Sequence, residues 1–181
     1  MIKFNAKELR NEDPNDEVVK SVVRNPIYII LDNVLDTYNI GSIFRLADAV
    51  AAEKLILCAE SETPPNPRIK KASINTWKWT PWEYRETALQ AVTNLKSQDE
   101  TLKIICVEQD RRSIGLSGLE CGFPLALVVG NETYGISKEV LKEADIIVEL
   151  PMYGINKSLN VMVSCGIVLY KILEKNCKNP P

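Results

Sequence analysis

The stretch LALVVGNETYGISKEVLKEADIIVELPMYGINKSLN, Leu125–Asn160, decides the fold of this chain. It holds two apolar runs, LALVVG at Leu125–Gly130 and IIVELP at Ile146–Pro151, and each breaks straight into a polar turn, GNETYGIS and MYGINKSLN. Apolar runs without alternation are the pattern of strands covered on both faces, as in a parallel sheet. A run ending abruptly in Gly, Asn, Glu or Ser delivers backbone N–H groups and polar side chains to the carboxyl edge of such a sheet, where α/β ligands bind. The two edges lie about twenty residues apart, joined by the short amphipathic pattern SKEVLKEA, so they are expected to be neighbours in space.

Upstream, the run IYIILDNV reads as a strand leading into a helix, DTYNIGSIFRLADAVAAEK, in which Ile40, Ile43, Phe44 and Ala47 recur at helical spacing. A strand LILCAE, a Pro-rich loop TPPNPR, a segment with three tryptophans and a helix from about Tyr84 to Lys96 follow. A third strand, LKIICVE, ends at Glu108 and is joined to the opening stretch by the turn-rich DRRSIGLSGLECGF. Strand and helix alternate, which predicts an α/β domain with a parallel sheet and helices on both faces. Downstream, SLNVMVSCGIVLYKILEK is apolar nearly all round, through Leu159, Val161, Met162, Val163, Ile167, Val168, Leu169, Ile172 and Leu173. One sheet contact uses one stripe, so a second apolar surface must cover the rest. A homodimer interface is the economical cover; fuller enclosure within the monomer is the alternative.

With 181 residues, 45% hydrophobic and 25% charged, the chain has the composition of one globular domain. The N-terminal MIKFNAKELRNEDPNDE is too polar for a signal peptide, and no apolar run approaches the roughly eighteen residues of a membrane span, which points to the cytoplasm. Cys58, Cys106, Cys121, Cys165 and Cys177 show no metal-ligand spacing and are expected to be reduced thiols. The absence of histidine removes His-based triads, His general bases and His metal ligands together. A net charge of −2 argues against a general nucleic-acid coat. Local basic clusters remain at Arg68, Lys70, Lys71 and Lys78, at Arg111 and Arg112, and at Lys138, Lys142 and Lys157, with solvated surface charge as the plainer reading of each.

GNETYGIS has the outline of a phosphate loop, but Ile136 and Ser137 stand where Lys and Ser/Thr are required, and NIGSIFRLAD lacks the glycines of a dinucleotide turn. ATP hydrolysis and hydride transfer lose their sequence support. Three segments are left: Asn39–Arg45, Gly130–Glu132 and Pro151–Asn160. Each sets small or amide residues beside a charged group at a strand-to-helix junction.

NIGSIFR, VVGNETYGIS and LPMYGINKSLNV resemble, in order and near the right spacing, the three motifs of the SpoU family of RNA ribose methyltransferases, also called the TrmH family. The resemblance runs from about Pro26 onward and implies a methyltransferase domain over residues 26–181 behind a short N-terminal extension, 1–25. It implies the α/β knot of the SPOUT superfamily, with a deep C-terminal trefoil knot, and a homodimer through the last helix. It implies S-adenosylmethionine as cofactor, no metal, and transfer of its methyl group to a ribose 2′-hydroxyl of tRNA or rRNA. By motif match, Val129, Gly130, Asn131, Leu150, Met152, Ser158 and Leu159 would hold the cofactor, and Arg45, Asn39, Glu132 and Asn160 would form the catalytic group. Arg45 would position an RNA phosphate and stabilise the developing alkoxide, since a guanidinium with a pKa above roughly 12 is a poor base.

Plainer readings stand beside these. Asn39 suits a helix N-cap, Arg45 could pair with Asp48 or Glu53, and Glu132 and Ser158 suit helix starts. Trp77, Trp79 and Trp82 could stack RNA bases or pack a core. Two other functions remain: a non-catalytic RNA-binding or assembly module of the same fold, and a knotted base methyltransferase.

Overall fold

A computed structural model describes residues 4–176. Seven parallel strands form one sheet in the order β3-β2-β1-β6-β4-β7-β5, where β1 is Asn25–Asp32, β2 Ala52–Cys58, β3 Trp82–Arg85, β4 Lys103–Val107, β5 Ile114–Gly115, β6 Leu125–Gly130 and β7 Ile146–Glu149. The expected parallel sheet is therefore present, with β6 fully buried between β1 and β4. Side chains alternate across it. Ile27, Ile29 and Leu31 of β1 join one core with Leu125, Leu127 and Val129 of β6, while Ile30, Ala126 and Val128 join the other.

The first core is closed by α3 (Thr37–Ala49) and α7 (Val161–Asn176), the second by α5 (Ala88–Gln98) and α6 (Lys138–Glu143). α4 (Pro67–Ser73) lies against α3 at Gly41, where a Cβ would come within 2.6 Å of the Ala72 Cβ and 2.8 Å of the Ile69 carbonyl oxygen. Two short helices, α1 (Ala6–Asn11) and α2 (Asp16–Lys20), precede the sheet. α1 is tied to the body by the Asn75 amide, which donates to the Leu9 carbonyl at 3.0 Å, and the chain just beyond it by the Asp13–Lys78 ion pair.

Several expectations are corrected. Five strands were legible, and the two edge strands β3 and β5 were not. Tyr84 belongs to β3, not to a helix: Trp82–Arg85 pairs with Leu55–Cys58, aromatic residues suit a strand, and Thr87 begins α5 by accepting from the Gln90 N–H at 3.2 Å. The helix read through AAEK ends at Ala49. Ala51 takes a left-handed φ of 47° that breaks it, and Ala52 already starts β2. Ser158 and Leu159 precede α7 instead of opening it.

The tryptophans are mostly structural. Trp77 and Trp82 pack against the first core, Trp82 edge-on to Phe44 at 6.4 Å, and the Trp79 indole N–H donates to Asp48 at 2.8 Å. Among the described cysteines all four are free, and burial pushes the Cys58, Cys106 and Cys165 thiols up to about 12, which keeps them protonated. Cys177 lies outside the described residues. No helix among the described residues is long and apolar enough to cross a membrane, and no group of three or more acidic or thiol side chains there could hold a metal ion.

Candidate functional site

The carboxyl ends of β4, β6 and β7 open into a cleft of about 490 Å³. Its wall on one side is the turn after β6, where Asn131 and Gly135 exchange backbone hydrogen bonds of 3.1 and 2.9 Å. The turn closes tightly on β6: a Cβ on Gly130 would lie 2.2 Å from the Gly135 carbonyl carbon. Its other wall is the exposed segment from Pro151 to Asn160, which has no regular structure. All seven residues expected at a cofactor site line this cleft: Val129, Gly130, Asn131, Leu150, Met152, Ser158 and Leu159.

Asn131 shapes the turn from inside. Its side-chain oxygen accepts from Thr133 and Tyr134 N–H at 2.8 and 3.0 Å, and its amide donates to the Asn33 carbonyl at 2.9 Å. Glu108 braces it from below, accepting from Ile136 N–H at 2.9 Å. Glu108, Gln109, Thr133 and Asn156 also line the cleft and were not singled out in the sequence, and Lys157, read there as part of a basic cluster, lines it too. For Glu108 and Gln109 the available signal was position alone, at the end of a predicted strand next to the other two.

Three of the four residues expected to be catalytic form one hydrogen-bonded chain. Asn39, buried in the first turn of α3, donates through its amide to Glu132 at 3.0 Å and accepts at its oxygen from the Asn160 amide at 3.0 Å. Glu132 also accepts from the backbone N–H groups of Leu35 and Asp36, each at 3.1 Å. The Asn160 oxygen caps α7 by accepting from Met162 N–H at 2.9 Å. One line of contacts therefore ties the starts of α3 and α7 to the turn after β6.

The plainer reading of Asn39 as a helix cap does not hold. Asp36 is the N-cap of α3, accepting from Tyr38 N–H at 2.7 Å. Glu132 lies in the turn before α6 and is likewise no helix start.

Arg45 stands apart on the exposed face of α3 and does not line the cleft. Among the described residues it has no ion pair: Asp48 takes the Trp79 indole, and Glu53 forms no bridge to it. Arg112 is spent on Asp110 at 3.0 Å and on the Leu141 carbonyl at 3.1 Å, while Arg111 is exposed.

Burial alone would raise the pKa of Glu132. Hydrogen bonds from the Asn39 amide and from the backbone of Leu35, Glu132 itself and Asp36 outweigh it, and the pKa lies below the ordinary 4.5. A depressed folded-state value adds stability above the unfolded pKa, which is lost as pH falls through the folded one. Replacing Glu132 by Gln turns a donor toward a backbone N–H and should lower the denaturant midpoint at pH 7. The gap to the parent should narrow in the window below 4.5 as Glu132 itself protonates. Chemical denaturation at both pH values measures this, and a gap independent of pH would contradict it.

The cleft fits a nucleoside-sized ligand with an apolar face. Val129, Leu150, Met152 and Leu159 offer apolar contact, and backbone groups beside Gly130 and Leu150 offer directional bonds without added charge.

Comparison with known proteins follows the same outline. The profile of the SpoU rRNA Methylase family matches residues 26–170. The chain is 32% identical over 152 residues to the tRNA (guanosine(18)-2′-O)-methyltransferase of Aquifex aeolicus, covering 80% of this chain and 67% of that protein. It is 31% identical over 160 residues to YacO of Bacillus subtilis, assigned there to the TrmH family of tRNA/rRNA methyltransferases; that match covers 86% of this chain but 60% of the longer relative. Among solved structures, the A. aeolicus TrmH/SpoU tRNA modifying enzyme superposes with a TM-score of 0.77 at 28% identity, over 94% of this chain and 81% of that one. An AdoMet-bound rRNA methyltransferase from Sinorhizobium meliloti shares the fold, with a TM-score of 0.76 at 24% identity over 92% of this chain and 59% of that one. A family match over most of the chain, the parallel seven-stranded sheet and the shared fold lead to one conclusion: this chain belongs to the SpoU methylase family.

Proposed function

We propose that this chain transfers a methyl group from S-adenosylmethionine to a ribose 2′-hydroxyl of tRNA or rRNA, in the cytoplasm, with residues 26–181 as the methyltransferase unit. The observation that carries this reading is the Asn160–Asn39–Glu132 chain at the mouth of a nucleoside-sized cleft. The relatives' names point the same way: one is a tRNA guanosine 2′-O-methyltransferase and one fold neighbour holds AdoMet.

When bound, S-adenosylmethionine would supply a methyl group on a sulfonium for the ribose 2′-oxygen, with the thioether S-adenosylhomocysteine as leaving group and the hydroxyl proton released to water. Everything else falls to the protein. Glu132 is a clamp, since both its oxygens accept hydrogen bonds and its lowered pKa makes it a weak base. Asn39 and Asn160 hold the two walls at a fixed distance so that donor and hydroxyl meet within about 3 Å. Arg45, with no partner of its own among the described residues, binds an RNA phosphate and stabilises charge growing on the ribose oxygen. In this reading the chain after β7 threads the loop that precedes it, forming the trefoil knot that shapes the cleft.

The exposed face of α7 gives the dimer. Val163, Ile167 and Tyr170 form one stripe, 38–54% exposed, opposite the buried Cys165, Val168, Leu169 and Ile172, and Leu159, just before the helix, is also exposed. Leu35 and Tyr38 beside the start of α3 are exposed as well. Burying this stripe against a second copy removes apolar surface worth about 25 cal/mol per Å² from water. Ile167→Glu should convert the dimer to a monomer in sedimentation velocity. A variant that stays dimeric would place the interface elsewhere.

Incubation with labelled S-adenosylmethionine and separate tRNA and rRNA pools tests the activity. Label should enter one pool at one nucleotide. Cofactor binding without transfer to either pool would favour the non-catalytic RNA-binding module instead.

A further inference from the structure

A second cleft, of about 370 Å³, opens behind the turn after β6, on the α5 side of the sheet. It is lined by Asp32, Ala59, Ala88, Leu89 and Tyr134, and shares Asn131 and Gly135 with the cleft described above. Two features separate it from a packing gap. The first is Asp32, at the end of β1 and only 6% exposed. Its Oδ2 accepts from Ser137 N–H at 2.8 Å, whereas Oδ1 accepts nothing among the described residues and is not sealed from solvent. A carboxylate can accept several hydrogen bonds, so an almost buried one left half used is matched to a donor from outside. The second is Tyr134 at the mouth, 86% exposed and unused by the fold, since only its backbone N–H is engaged.

A slot with apolar side chains on the α5 side, the unused Asp32 oxygen at its base and an aromatic ring at its lip fits a flat, neutral molecule with an N–H edge. A phosphate is excluded by the carboxylate and by Glu139, which also lines the slot. On the reading that the substrate is RNA, we propose that this cleft captures a nucleobase of that RNA bearing an exocyclic amino group. The amino group donates to Asp32 Oδ1 and the ring stacks on Tyr134. Unpaired bases are read through such edge contacts and aromatic stacking. Because Asn131 belongs to both clefts, the captured base belongs to a nucleotide near the methylated one, and the cleft selects the RNA without touching the reacting atoms.

Asp32→Asn is the test, because its amide oxygen keeps the Ser137 bond while the NH₂ replaces the free acceptor. Methylation of the mapped RNA should fall about tenfold or more in kcat/KM through KM, with melting temperature and cofactor affinity unchanged. Nucleotides around the target are then replaced singly by analogues lacking the amino group, such as inosine for guanosine. One replacement should cost the parent protein a similar factor and cost Asp32→Asn nothing further. Tyr134→Ala, at a largely exposed side chain, should raise KM by about fivefold or more through lost stacking and keeps the test open if Asp32→Asn fails to fold. Parent-like KM in Tyr134→Ala and in a folded Asp32→Asn, or an analogue effect undiminished in Asp32→Asn, overturns the proposal. A parent protein that methylates no RNA would instead remove the reading on which it rests.

Discussion

Arg45→Ala should lower methyl transfer to RNA by about 10²–10³-fold in kcat, the usual loss when one preorganised group that stabilises developing negative charge is removed. The melting temperature and the affinity for S-adenosylmethionine should stay at the parent values. Arg45 is exposed, has no ion pair among the described residues and does not line the cleft proposed for the cofactor, so its loss breaks nothing that holds the fold or that cleft. A residue that belonged only to a solvated helix face would show no kinetic effect. Arg45→Lys keeps the charge but not the two-pronged donor geometry, and should recover only part of the rate. Single-turnover kinetics with saturating cofactor separates chemistry from binding, and near-parental turnover in Arg45→Ala would remove the residue from catalysis.

Gly130→Ala should have the opposite profile, with loss of cofactor binding and of stability together. The new Cβ would sit 2.2 Å from the Gly135 carbonyl carbon and 2.4 Å from the Ile136 nitrogen, and both obstacles are backbone. Relief requires the turn after β6 to lift away, which breaks the Asn131–Gly135 pair and displaces Asn131 from Asn33. Gly135 cannot adapt easily, because it already has a φ of +70° and its own pro-Cβ direction is filled by Glu108. Overpacking of this kind costs about 1–3 kcal/mol, and the cleft wall moves with it. Calorimetric titration with S-adenosylmethionine and thermal unfolding measure the two losses. Unchanged affinity would mean that this turn does not shape the cofactor cleft.

The parts of this fold legible in the sequence were those with a local signal. β1, β2, β4, β6 and β7 announce themselves as unbroken apolar runs because both faces are covered. β3 and β5 did not, because edge strands of four and two residues carry no such run and are stabilised by one neighbour. The turns after β6 and β7 were legible because they sit where strands end, a position visible in one dimension, but the individual residues that line the cleft from them were named only through the family resemblance. The joint between Asn39, Glu132 and Asn160 was visible only through the family resemblance, since these residues are 93 and 121 positions apart and no periodicity links them. Asp32 was hidden for a simpler reason: as the last residue of an apolar strand it reads as a strand end, and only burial shows that one of its oxygens has no use within the fold.

A helix-cap role for Asn39 and an ion-pair role for Arg45 were reasonable from spacing alone. Both fail on competition: Asp36 takes the cap one turn earlier, and Asp48 is drawn to Trp79. What remains for Asn39 is the link between Glu132 and Asn160, and Arg45 is left exposed with no ion pair among the described residues.

The most direct test is the chemical form of the methylated nucleotide. RNA labelled by the protein from S-adenosylmethionine is digested with alkali, which cleaves only where a free 2′-hydroxyl can attack the neighbouring phosphate. Transfer to a ribose 2′-hydroxyl predicts label in alkali-stable dinucleotides. Label released as mononucleotides would place the methyl group on a base and contradict ribose methylation.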